Sequence, residues 1–159
     1  MKAFRPSRHQ FVAVFDPDEA STLSGLASQV SELIEDRDAR DGDPAVLRLL
    51  PDAYPDDAGA SAEFRRFTAD DLASRKCANA RRIVADLAAA SAATSATTVK
   101  VDAQAAQAWV RSLTDIRLTI AARLGIESEG DLGNESTELL ALYDWLGFVQ
   151  SSLVDCLDR

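Results

Sequence analysis

The chain has one histidine, two cysteines, one methionine and few aromatic residues among its 159 positions, and each scarcity closes off a kind of chemistry. His9 has no second imidazole with which to share a metal or relay a proton, so it reads as a surface or packing residue and not as a base. Cys77 and Cys156 stand too far apart for a CxxC unit and cannot complete a zinc site with His9 alone, so no metal is expected. No apolar run approaches the ~20 residues that span a bilayer. Met1 to Gln10 carries Arg5 and Arg8 without the apolar core of a signal peptide, and the expectation is a cytoplasmic protein with no membrane partner. GxSxG, HExxH, the P-loop pattern and GxGxxG are all missing. Hydrolase, zinc-protease and nucleotide chemistry therefore have no foothold, and no cofactor is expected.

Basic residues are also scarce, 17 against 26 acidic ones, and the resulting net charge of −9 repels phosphate backbones and anionic membranes. Direct nucleic-acid binding falls to third place among the readings, open only to a local basic patch. What is present is ordinary globular composition, with nearly half the residues apolar, on a chain long enough to build one core without staples. One domain over residues 1–159 follows.

The patterning is mainly helical. QFVAVF at 10–15 reads as a strand, although so short an apolar run is also compatible with a helix segment. Asp16, Pro17 and Glu19 then give a cap, a first-turn proline and a capping-box partner, opening a helix from 17 to about 36 with Leu23, Leu26, Val30, Leu33 and Ile34 on one face. DRDARDGD lacks periodicity and reads as a mobile surface loop over 37–43. Asp43-Pro44 starts a short helix that Pro51 ends. Pro51 and Pro55 break the next stretch, where Asp56 or Asp57 caps a short helix to about Phe67, and Thr68 with Asp71 restarts the chain as a long helix. That helix carries a stripe of small residues, Ala73, Cys77, Ala80, Val84, Leu87 and Ser91. SAATSATT, over 91–98, reads as a linker or mobile loop. Val99 and Val101 suggest a second strand, paired with 10–15 because a lone strand leaves its backbone groups unsatisfied. Asp102 caps a helix over 103–124 that Gly125 stops, and Asn134 or Ser136 opens a last helix to about 157. The fold class expected is a single-domain bundle of about five helices with a short two-stranded β ribbon.

Three groups of residues invite a functional reading. Arg65, Arg66, Arg75, Lys76, Arg81 and Arg82 gather positive charge on an acidic chain, either as a partner-binding face or as ion pairs internal to the helix, since Asp71 to Arg75 and Arg82 to Asp86 have the supporting four-residue spacing. Cys77 and Cys156 are either buried small hydrophobes or, for Cys77 with its basic neighbours, a redox-sensitive thiol. Asp52, Asp56 and Asp57 beside Tyr54 serve as caps or hold a hard cation; a metal-dependent hydrolase using Asp56, Asp57 and Glu63 is the rival from the enzyme class. Trp145 and Phe148 widen the apolar arc of the last helix, which suggests a homodimer interface.

LRLLPDAYPDDAGASAEFRRFTADDLASRK, AWVRSLTDIRLTIAARLGI and LYDWLGFVQSSLV resemble an actinobacterial family of unknown function, of the DUF2017 type, whose genes lie near those for the Clp-protease adaptor and for cysteine biosynthesis. The most specific pieces are Tyr54-Pro55 running into Glu63 to Arg66, the Trp109 to Leu124 helix with Asp115 and Arg117, and Tyr143 to Leu146. The resemblance implies a regulator of transcription under oxidative stress that acts through protein partners. A redox-sensing member would use a cysteine pair close in sequence, which this chain lacks. The reading is a non-enzymatic regulatory protein that binds a protein partner, with Asp115 and Arg117 making a structural polar contact in the core layer.

Overall fold

The computed structural model describes residues 1–51, 62–126 and 137–158, and within them every side chain but that of Arg65. Three strands, β1 (Lys2–Ser7), β2 (Gln10–Phe15) and β3 (Thr97–Val101), form an antiparallel sheet in the order β1-β2-β3. Five helices accompany it: α1 (Pro17–Glu35), α2 (Pro44–Leu49), α3 (Ala62–Ser91), α4 (Ala103–Leu124) and α5 (Thr137–Leu157). The mainly helical expectation holds, and so does the pairing of β2 with β3, which places Ala13 opposite Val99.

Several boundaries differ from the sequence reading. The ribbon gains a third strand, because Lys2–Ser7 turns back on β2 through Arg8 (φ 54°) and His9. Helix α3 is continuous where a break was expected at Thr68. The hydroxyl of Thr68 donates to the Phe64 carbonyl at 2.9 Å, one turn back inside the helix, and does not cap a new one. Arg37–Arg40 forms a 3-10 turn within the expected loop, anchored where Arg37 donates to the Ile34 carbonyl at 3.1 Å and pairs with Asp70 at 2.6 Å. The linker over 91–98 shrinks to residues 92–96, its ends being the last residue of α3 and the first two of β3. The caps proposed at Asp52, Asp56, Asp57, Asn134 and Ser136 lie outside the described residues.

Local chemistry explains most helix ends. The Asp16 N–H donates to Glu19 Oε2 at 2.9 Å, and the Met1 ammonium meets the same carboxylate, which ties the start of β1 to the start of α1. Asp43 and Asp102 accept from Ala45 and Ala105 N–H at 2.8 and 2.7 Å. Hydrogen bonding from Arg123 holds the Asp43 carboxyl below its usual range. Gly125 adopts the left-handed φ of 71° that lets the Ile126 N–H reach back to the Ala121 carbonyl at 2.9 Å, ending α4.

The core forms where the sheet's inward face, Phe4, Ala13, Phe15, Val99 and Val101, meets the helices. Trp109 of α4 is fully buried there, with its ring 5.5 Å from Phe4 and 6.2 Å from Phe15. Its indole N–H donates to Asp86 Oδ2 at 2.8 Å, and Arg82 Nε holds both oxygens of Asp86 at 3.0 Å. Helices α1 and α3 run antiparallel: Ala27 and Ser28 share a cleft with Val84 and Ala85, whereas Arg37, just past the end of α1, meets Asp70. They approach through the buried small residues Ala27 and Ser31 on α1 and Ala73, Cys77 and Ala80 on α3. Towards its end the α3 stripe follows Ile83 and Ala90, with Val84 and Ser91 only half-buried.

Asp115 and Arg117 part company, since residues two apart on a helix face different neighbours. Arg117 turns to α5, donating to Gln150 Oε1 at 2.9 Å and stacking 4.3 Å from the Tyr143 ring centre, over the gap left by Gly147. Asp115 is 3% exposed and pairs with Lys76 of α3 at 2.5 Å. Burial pushes its carboxyl above the ordinary value and the Lys76 ammonium pulls it part of the way back. Asp115 therefore binds its proton more tightly in the folded than in the unfolded chain. Its contribution favours the fold at low pH and is lost as pH rises through the folded-state value. Lys76→Met, which strands the carboxylate, is expected to cost about 3–5 kcal/mol at pH 7. Acidification towards the carboxylate range restores part of that loss, and Lys76→Met/Asp115→Leu restores most of it. Urea denaturation of the variants at two pH values checks this, and a pH-independent deficit in the single variant would show that Asp115 is not the cause.

Candidate functional site

Helix α3 carries the basic residues that the sequence puts forward, and the structure sorts them by partner. Arg75 pairs with Asp71 at 2.7 Å, Arg82 with Asp86 at 3.0 Å and Arg81 with Glu35 of α1. The Lys76 ammonium turns inward to Asp115, leaving its side chain 18% exposed. Most of the expected open patch is thus ion-paired, and two of its members are structural. Lys76 balances a buried carboxylate, and Arg82 steadies the acceptor of the Trp109 indole. Arg66 is exposed, and Arg65 belongs to the same turn of α3.

The first turns of α3 have a different character from the rest. Ala73 is the first buried position among the described side chains of this helix, so the segment from Ala62 to Leu72 runs ahead of the core. It presents Phe67, 74% exposed, and Phe64, 54% exposed, on either side of Arg66. A helix keeps residues three apart on adjoining faces, so the two rings form one patch, while Arg66 stands on another side of the same turn. The sequence contains the signal for this. Stepping back from Ala73 by helical turns lands on Ala69 or Asp70 and then Arg66, whereas Phe67 leads forward to Asp71, Ser74 and Arg81, a polar face.

The remaining candidates are less open. Cys77 and Cys156 are both buried, 5% and 6% exposed. The Cys77 thiol donates to the Ser31 carbonyl at 3.7 Å between α1 and α3. Cys156 lines a cleft between β1 and α5 together with Arg5, Phe148 and Asp155. Trp145 is half-buried against the core, and Phe148 is 48% exposed. Asp56 and Asp57 lie outside the described residues, and Glu63 is exposed on the first turn of α3. Among the described residues no group of side chains is arranged to hold a metal ion. No described helix is long and apolar enough to cross a membrane. An aliphatic cleft of about 350 Å³ opens between α1, α4 and α5, floored by Val30, Leu33, Ile116 and Ile120. The arginines at its edge, Arg40 and Arg123, already face Asp36 and Asp43 at 3.9 and 2.8 Å.

The chain belongs to the family described as a domain of unknown function, DUF2017, whose model matches residues 1–157. It is similar to the oxidative stress regulator AosR of Mycobacterium tuberculosis and of Mycobacterium bovis, at 27% identity over 176 aligned residues covering 91% of this chain and 81% of the relative. No solved structure matches the chain.

Thiol burial has a direct consequence for reactivity. In the native protein, a disulfide-exchange reagent is expected to label Cys77 and Cys156 only as fast as local opening exposes them, far more slowly than in urea. Timed labelling followed by mass spectrometry checks this, and prompt native-state modification of Cys77 would place that thiol outside the α1–α3 interface.

Proposed function

We propose that the protein is a non-enzymatic regulator that acts through contacts with other proteins, in oxidative-stress-linked control of transcription. The relatives named oxidative stress regulator support the regulatory part of this reading. The observation that carries the contact surface is the projecting start of α3, where Phe67 and Phe64 stand exposed on adjoining faces and Arg66 is exposed on another side of the same turn. Aromatic side chains and arginine dominate binding energy at protein interfaces, because each covers a large area with few rotatable bonds or offers a planar fork to carboxylates. A helix that runs ahead of its core delivers such a patch without disturbing the packing behind it.

The variant Phe67→Ser/Arg66→Glu tests this reading. Both positions are exposed, so stability is expected to change by no more than about 0.5 kcal/mol, while capture of partner proteins from the native cytoplasm falls. Equal capture by the variant would reject the α3 patch. Arg82 is unsuitable for such a test, because its reversal would also release Asp86 and the Trp109 indole.

Self-association belongs to the same proposal. Phe148 and Val154 of α5 are exposed, Phe148 beside β1, and a two-fold contact through this helix would cover both. Light scattering at micromolar concentration is expected to give a dimer that Phe148→Ser converts to monomer; a monomeric parent protein would end this part of the reading.

A further inference from the structure

The outward face of the sheet departs from the charge of the whole molecule. Cross-strand pairs share a face, so the register sets two rows there: Lys2, Val14 and Thr98 in one, and Arg5, Val12 and Lys100 in the other. Strands stand about 5 Å apart, which puts Arg5 and Lys100 about 10 Å from each other with Val12 between them. Lys2, Arg5, Thr98 and Lys100 are exposed, and the two valines are half-buried, forming a shallow apolar strip. The hairpin turn adds Arg8, also exposed.

No residue of the three strands is acidic, on a chain whose net charge is −9. Elsewhere the cations are largely spent on carboxylates of the protein itself, as the pairs of Arg37, Arg75, Lys76, Arg81, Arg82 and Arg123 show. Among the described residues, Lys2, Arg5, Arg8 and Lys100 enter no ion pair. Arg5 borders a second cleft with Asp155 of α5 without pairing with it. The carboxylates that follow β2 and β3 are directed to helix starts: Asp102 accepts from Ala105, and Asp16 belongs to the capping box of α1.

We infer that this face is a second interaction surface, and that it takes a short acidic segment of a partner protein, with carboxylates on Lys2, Arg5 and Lys100 and an apolar side chain over Val12 and Val14. Three properties single out a protein segment among anions. The centre of the face is valine, and it lacks the exposed aromatic rings on which the bases of a single strand would stack. The face spans only three short strands, so a long polyanion would overrun it onto the acidic body and be repelled. The same limit applies to a membrane surface. A short segment stays within the face, where opposite charge steers its approach and the apolar strip fixes its register.

Fluorescence anisotropy of a labelled peptide made of glutamates around one central leucine tests the inference on the full chain. Saturable binding is expected, weakening as salt rises from about 50 to about 500 mM, and weakened about tenfold by Lys2→Glu/Arg5→Glu/Lys100→Glu. The triple Arg66→Glu/Arg75→Glu/Arg111→Glu changes net charge equally on α3 and α4 and is expected to retain more of the binding. This comparison also separates the sheet from the α3 patch. Absence of saturable binding, or equal losses from the two triples, would overturn the inference. So would tighter binding of a thymidine oligonucleotide or of phosphatidylserine vesicles through the same three residues. Circular dichroism reports whether the triple folds; if it does not, Lys100→Gln alone must weaken the peptide about threefold, and an unchanged affinity overturns the inference.

Discussion

The contact on which the rest of the structure depends is the one Trp109 makes in two directions. Its ring meets Phe4 and Phe15, which come from different strands, and its indole N–H reaches Asp86 on α3. One side chain of α4 thereby joins the sheet to the longest helix. An indole N–H buried without an acceptor would cost more than the bond itself contributes, so Asp86 is required where the ring is buried. Asp86 in turn needs a cation, and Arg82 is one helical turn away. Truncation of a buried aromatic residue typically costs about 3–5 kcal/mol, a large share of the stability of a domain this size.

The distribution of charge follows from the same economy. Helix α3 lies against α1 and α4, and its cations meet carboxylates on both: Arg81 with Glu35, Lys76 with Asp115. Exposed pairs of this kind add little stability, whereas the buried pair cannot lose one member cheaply. With many of the helix cations paired internally, positive charge among the described residues remains open near apolar surface in two places. One is the start of α3 and the other is the outer face of the sheet. They lie on different elements and differ in chemistry, aromatic on the helix and aliphatic on the sheet.

Much of the fold was legible because its signals are local. Asp16-Pro17 with Glu19, Asp43-Pro44, and Asp102 with Gly125 each mark a helix end through groups a few residues apart, and the structure places α1, α2 and α4 within a residue or so of those marks. The pairing of β2 with β3 followed from the need to satisfy a strand's backbone groups. Strand β1 was missed because Lys2, Arg5 and Pro6 hide its alternation, and only Phe4 of its six residues is buried. Its strand character comes from β2 and α5, not from its own composition. Thr68 misled because the same hydroxyl can cap a helix or bond backwards within one, and spacing alone does not distinguish these. At the candidate site, four-residue counting found the partners of Arg75 and Arg82 but could not find Asp115 for Lys76, 39 positions away. The exposure of Phe67 was readable from its register against the small-residue stripe.

The bulge in β1 has a bearing on how the chain is made. Between Lys2 and Arg5 the register with β2 shifts, and the Phe4 N–H finds Ser152 Oγ at 3.3 Å, 148 positions along the sequence. On the ribosome the β1–β2 hairpin emerges ahead of its partners: β3 arrives only after α3 has been made, and the Ser152 hydroxyl comes later still. Until then Phe4 and Phe15 have no Trp109 to meet, and the N-terminal hairpin is an isolated pair of strands, which water does not stabilise by itself. The hairpin is therefore made well before the residues that close it, and the nascent chain carries an unfinished core until α4 and α5 follow.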